Sequence, residues 1–94
     1  MNFQNKCSIS VISHGQIDLV KELLEDLEDY NFYIKEIIVT INIPETLEVN
    51  LFRNNIILRT NKNPKGFGAN HNAAFKNANG EYFFVLNPDL RIKN

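Results

Sequence analysis

The chain has 94 residues, one cysteine, no tryptophan and a formal net charge of −1, which fits one small domain with room for a core. The near-neutral balance argues against a nucleic-acid binder, which would carry a basic patch. Cys7 stands alone, which excludes an internal disulfide and is expected to be a buried, inert thiol in a reducing compartment.

Residues 7–13, CSISVIS, are β-branched and apolar enough for a buried strand, which His14-Gly15 breaks. From Gln16 to Tyr30 the period changes. Ile17, Val20, Leu24 and Leu27 share one helical face with Leu23 beside them, while Asp18, Lys21, Glu22, Glu25 and Glu28 face water. Residues 35–42, KEIIVTIN, read as a second strand, and Pro44 is placed to start a short helix over PETLEVNLF. Residues 55–60, NIILRT, make a third strand. A polar loop follows, NKNPKGFGAN from Asn61, and leads into a helix from about Gly68 to Ala78. Gly80 is placed to end that helix in the left-handed conformation, and residues 81–87, EYFFVLN, form a fourth strand with Phe83-Phe84 in the core. The N-terminus MNFQNKCS lacks the apolar region of a signal peptide, and no apolar run approaches the ~20 residues of a membrane span, so a soluble protein is expected.

Apolar strands separated by helices predict a three-layer α/β/α fold with a mostly parallel sheet, Rossmann-like in kind. Right-handed crossovers leave few topologies, and the common one orders the strands 3-2-1-4. The direction of winding then reverses between strands 1 and 4 and opens a crevice at their carboxyl ends. Ser13-His14-Gly15 and Asn87-Pro88-Asp89 stand there. The chain ends seven residues after residue 87, so it reads as a single domain that is half of a larger fold, a fragment or a truncated product.

The motifs have bland readings as well as functional ones. Gly66 and Gly68 do not make a dinucleotide fingerprint, because position 71 is His71 and the loop follows the third strand instead of the first. The loop still opens a helix N-terminus, where free N–H groups favour an anion and Lys65 adds positive charge. Ala69, Ala73, Ala74 and Ala78 are explained by close packing of that helix on the sheet. His14, His71 and Asp89 have no metal-ligand spacing, and Ser13 beside His14 is no nucleophilic pair, since adjacent strand residues point to opposite faces. NPD alone is a common turn. At the crevice, however, the Asn87 amide oxygen and the Asp89 carboxylate are both within reach of a hard divalent cation.

Taken together, N-P-K-G-F-G-A-N-H-N from Asn63 to Asn72, A-N-G-E-Y from Ala78 to Tyr82 and L-N-P-D from Leu86 to Asp89 resemble the N-terminal half of a family 2 glycosyltransferase of GT-A fold, in the style of its rhamnosyltransferase-like members. The resemblance spans nearly the whole chain. It implies transfer of a sugar from a nucleotide-diphosphate donor to a saccharide or lipid-linked acceptor hydroxyl, with Mg²⁺ or Mn²⁺, in the cytoplasm or at the inner face of a bacterial membrane during surface polysaccharide synthesis. The family's D-x-D metal motif falls on Asn87-Pro88-Asp89, where Asn87 replaces the first carboxylate. His14, beside Ser13, falls where a ring stacks on the base. Asn42 stands where the family offers an aspartate to the base or ribose. Lys65 and Gly66 fall on the donor side, and Asn70 and Asn72 are expected to fix the loop, with Asn72 also assigned to the donor site. The catalytic base lies in the family's C-terminal half, so no catalytic residue is expected in this chain.

Two other readings stay open. One is a non-catalytic truncated domain that binds nucleotide or a protein partner only. The other is a nucleotidyltransferase-like binder, disfavoured because its glycine-rich loop should follow strand 1 and SHGQ has one glycine. In either fragment reading the edge EYFFVLN is unpaired, and self-association through it is expected.

Overall fold

The computed structural model describes residues 2–92. Its elements are β1 (Cys7–Ser13), α1 (Ile17–Leu27), β2 (Ile34–Ile41), β3 (Ile56–Thr60), α2 (Phe67–Lys76) and β4 (Tyr82–Leu86). The four strands are parallel in the order β3-β2-β1-β4, as the sequence pattern predicts. Single 3₁₀ turns follow α1 at Glu28–Tyr30 and precede β3 at Val49–Leu51.

The two faces of the sheet have different chemistry. On one, Ile9 and Val11 of β1 and Ile37, Val39 and Ile41 of β2 meet Val20, Leu23, Leu24 and Leu27 of α1 in a single apolar cluster. These helix residues recur every three or four positions, so one stripe of α1 is buried and the rest is solvated. Burying each such side chain contributes about 1.5–3 kcal/mol. The other face carries Ser8, Ser10, Glu36 and Thr40 among its buried residues and is covered by α2, whose Asn70, His71 and Ala74 are buried against it. Buried polar groups on that face are tied to one another. Ser8 Oγ donates to Glu36 Oε2 at 2.6 Å, and the same oxygen accepts from the Asn79 backbone N–H at 2.6 Å.

Five expectations are corrected. The helix expected to start at Pro44 does not form; residues 45–48 are without helix, and only the 3₁₀ turn at Val49–Leu51 is present. The cause lies in Glu45, whose carboxylate reaches across to the segment after β1, and in Leu47, which is buried in the α1 cluster. Gly80 is not a left-handed helix cap. The only positive-φ glycine among the described residues is Gly15, and α2 ends at Asn77 with φ −103°. Gly80 is required for a different reason: a Cβ there would lie 2.6 Å from Ser8 Oγ and 2.7 Å from both Lys6 O and Ser8 N. Phe83-Phe84 is not core either. Phe83 is partly buried edge-on against Phe75, with ring centroids 5.2 Å apart, and Phe84 is 48% exposed, because β4 is an edge strand and no described element covers its outer flank. Glu28 does not simply face water; its Oε1 accepts from the Arg53 backbone N–H at 2.8 Å. Cys7, expected to be buried, is half-buried beside β4. No helix among the described residues is long and apolar enough to cross a membrane.

Candidate functional site

A cavity of about 460 Å³ opens at the carboxyl ends of β1 and β4, at the point where the sheet reverses its winding. It is lined from three sides. His14 and Gln16 come from the segment after β1, Lys65, Phe67, Asn70 and His71 from the loop and first turn of α2, and Asn87, Pro88 and Asp89 from the turn after β4.

The β1 side is held by Glu45. Its Oε2 accepts from Ser13 Oγ at 2.7 Å and from the Gly15 N–H at 2.9 Å, and its Oε1 accepts from the Ile17 N–H at 2.9 Å. A carboxylate of the chain itself therefore occupies the positive N-terminus of α1, and a ligand anion has no place there. Gly15 turns at φ +78°, a conformation that favours glycine, and leaves the His14 ring exposed at the rim.

The loop side is held by amides. Asn42 Oδ1 accepts from the Lys65 N–H at 2.8 Å, and its Nδ2 is 3.0 Å from Lys65 O and 2.9 Å from His14 Nδ1. Asn61 Nδ2 donates to both Asn42 Oδ1 and Asn70 Oδ1, at 2.8 and 2.7 Å, and Asn70 Nδ2 donates to Lys65 O at 3.2 Å. The Lys65 backbone is thus held by Asn42 and Asn70, which Asn61 ties together, while its side chain stays exposed and makes no ion pair among the described residues. No side chain caps the N-terminus of α2, so its first N–H groups are left for solvent or a ligand.

On the β4 side the Leu90 N–H donates to Asn87 O at 3.1 Å, closing the turn that carries Asp89. The chain then bends back over α1. Arg91 pairs with Asp26 in bidentate fashion at 2.8 and 2.9 Å, and the Ile92 N–H donates to the same carboxylate at 3.0 Å. The guanidinium and amide hold the Asp26 carboxyl down at about 2.

Of the residues expected at a donor site, the structure brings His14, Asn42, Lys65, Asn87 and Asp89 together around one cavity. Ser13 is buried, does not line the cavity, and donates to Glu45. Gly66 is the residue before α2, with ordinary φ −73°, and no atom lies within 4 Å of a Cβ placed there, so the fold itself does not demand glycine. Asn72 is exposed and does not line the cavity. The expected loop-fixing role belongs to Asn70 together with Asn42 and Asn61. Glu45 was not legible as a site residue, because its partners lie 28 to 32 positions away. His71 lines the cavity as well, with Nδ1 2.8 Å from Ser10 Oγ.

Asn87 and Asp89 offer hard oxygen donors at the rim, and no group of three His, Cys, Asp or Glu residues among those described is placed to hold a metal. This donor set fits Mg²⁺ or Mn²⁺ only as a shared ion, held by one carboxylate together with ligand phosphates.

Comparison with known proteins agrees with this fold. The crystal structure of TarS residues 1–349 from S. aureus aligns with a TM-score of 0.72 at 21% identity, over 89% of this chain and 27% of that chain. The chain therefore shares the α/β fold with about a quarter of that larger protein. No curated protein matches significantly. The model of the family described as glycosyl transferase family 2 matches residues 8–94, and the chain belongs to that family.

Proposed function

We propose that the cavity is the donor site of a nucleotide-sugar-dependent glycosyltransferase, rhamnosyltransferase-like in its substrates and acting on a saccharide or lipid-linked acceptor in bacterial surface polysaccharide synthesis. The observation that carries this reading is the convergence of His14, Lys65 and Asp89 from three separate segments on one cavity at the switch point. Each supplies a different interaction. The exposed His14 ring offers a face to a base, Lys65 and the uncapped start of α2 offer positive charge to a diphosphate, and Asp89 offers a carboxylate to a divalent cation. A bound Mg²⁺ or Mn²⁺ would neutralise diphosphate charge, with Asp89 and Asn87 as its protein ligands.

Asn42 enters this reading as a support instead of a base-reading group, because all of its hydrogen-bonding capacity is spent on Lys65, Asn61 and His14. Sugar transfer also requires a base near the acceptor hydroxyl, and among the described residues the only side-chain carboxylate lining the cavity is Asp89. The 94-residue chain is accordingly proposed to be a donor-binding portion that binds nucleotide and transfers no sugar by itself. Titration with nucleoside diphosphates, with and without Mn²⁺, tests the reading. Metal-independent binding would remove Asp89 from its role, and sugar turnover by this chain would contradict its assignment as a donor-binding portion.

A further inference from the structure

The cavity wall divides by exposure. Lys65, Asp89, His14 and Phe67 are exposed at the rim, whereas Asn42, Asn70 and His71 are only 5%, 1% and 6% exposed. Of these three buried polar side chains, both amides are spent on Lys65 and Asn61. His71 differs: Nδ1 is taken by Ser10 Oγ, and Nε2 has no partner among the described residues. His71 is therefore the one buried polar group of the wall with an unused hydrogen-bonding atom.

We infer that His71 is a ligand-contacting residue of this cavity, a neutral imidazole whose Nε2–H donates to an oxygen on an uncharged ring of the bound nucleotide-sugar, either a base carbonyl or a sugar hydroxyl. The inference rests on the donor-site reading above. The tautomer follows from Ser10, which is fully buried and has no hydrogen-bond partner other than His71. Were Nδ1 protonated, the serine hydroxyl proton would be left in a buried site with no acceptor. With the hydroxyl donating to Nδ1, that proton is satisfied and Nε2 carries the ring's hydrogen. The Nδ1 edge faces β1, so the Nε2 edge is the polar edge His71 presents to the cavity it lines. Burial lowers the His71 pKa below its ordinary 6.5 and keeps the ring neutral at pH 7. The Phe67 ring meets it edge-on with centroids 4.4 Å apart, and the apolar Ile12 and Leu86 line the same cavity. The charged groups stand at the rim, where a diphosphate and its cation belong, so the neutral floor is matched to an uncharged part of the ligand.

The test is nitrogen-15 NMR of the wild-type imidazole rings during titration with uridine and thymidine diphosphates, and with their glucose conjugates, in Mg²⁺. His71 is expected to show a bare Nδ1 and a protonated Nε2 throughout, with the Nε2–H resonance shifting as the ligand saturates. In parallel, the double variant S10A/H71F removes the donor while keeping the ring volume and leaving no orphaned hydroxyl. It is expected to lose about fivefold in affinity, the scale of one neutral hydrogen bond. A loss with the diphosphates alone assigns the acceptor to the base, and a loss confined to the glucose conjugates assigns it to the sugar. Saturating binding with an unmoved Nε2–H resonance, or an unchanged affinity in the folded variant, would overturn the inference while leaving the donor site standing. Absence of binding by the wild type to all of these probes would overturn both.

Discussion

The side-chain amide of Asn42 clasps both backbone groups of Lys65, accepting from its N–H at 2.8 Å and donating to its carbonyl at 3.0 Å. Asn42 stands at the end of β2, where the family resemblance places an aspartate toward the nucleotide. The two roles make opposite forecasts for Asn42→Asp. A carboxylate cannot donate, so the contact to Lys65 O is lost and a buried charge is gained. The substitution is expected to cost about 1–3 kcal/mol of stability and to weaken nucleotide binding, measured by urea unfolding and calorimetry. Tighter nucleotide binding at unchanged stability would return Asn42 to a base-reading role.

Gly80 makes a second forecast. A Cβ at this position meets backbone atoms of Lys6 and Ser8 at 2.7 Å, and the Gly80 N–H donates to Ser8 Oγ at 2.8 Å. Backbone cannot yield as a flexible side chain does, so Gly80→Ala is expected to destabilise by about 1–3 kcal/mol in urea unfolding. Gly68→Ala, whose Cβ would meet no atom within 4 Å, serves as the control and is expected to leave stability no lower. Equal stabilities would contradict the close approach of the α2–β4 turn to β1.

How much of this was legible in the sequence depended on how far each residue's partner lay along the chain. Strand order, and element order apart from the helix expected at Pro44, followed from hydrophobic period and crossover rules, because Val20, Leu24 and Leu27 report their face locally. The rim residues His14 and Asp89 were found because topology alone brings strand ends together, and Lys65 because its loop leads into a helix N-terminus. Glu45, Asn61 and Gly80 were misread or missed, since each is fixed by a distant contact: Glu45 to Ser13, Asn61 to Asn42, and Gly80 to Ser8. Exposure of Phe84 was equally hidden, because an apolar strand reads the same at an edge as in the middle of a sheet.

The Asp26–Arg91 pair links the turn bearing Asp89 to α1. Asp26 is held at about 2 against an ordinary 3.8, so its contribution to stability is complete above about pH 4 and is lost as the pH falls toward 2. Asp26→Asn is expected to flatten that part of the acid-unfolding profile and to weaken Mn²⁺-dependent nucleotide binding. An unchanged acid profile would show that the pair does not form in solution.

His71 bears on pH from the other side. Its pKa is lowered by burial, so the unfolded chain binds a proton that the native chain refuses. Stability from this group is present above pH 6.5 and falls as the pH drops below it. The S10A/H71F variant is expected to show a shallower decline between pH 6.5 and 5 than the wild type in thermal unfolding. An identical slope would mean that the ring is not kept neutral.

The edge strand makes a concentration-dependent forecast. Tyr82, Phe84 and Val85 are 40–48% exposed on β4, whose outer flank pairs with no described strand. Such an edge is a template for pairing, so light scattering is expected to show self-association that Val85→Lys suppresses. A monomer at millimolar concentration would contradict it.

The central claim, that the cavity between β1 and β4 binds a metal-bridged nucleoside diphosphate, is tested most directly by calorimetry on the wild type and Asp89→Ala, each with and without Mn²⁺. The account predicts that metal and nucleotide bind the wild type synergistically, each weakly without the other, and that Asp89→Ala abolishes the synergy while the fold stays intact. Nucleotide binding of equal strength in all four titrations, or none in any of them, would contradict it.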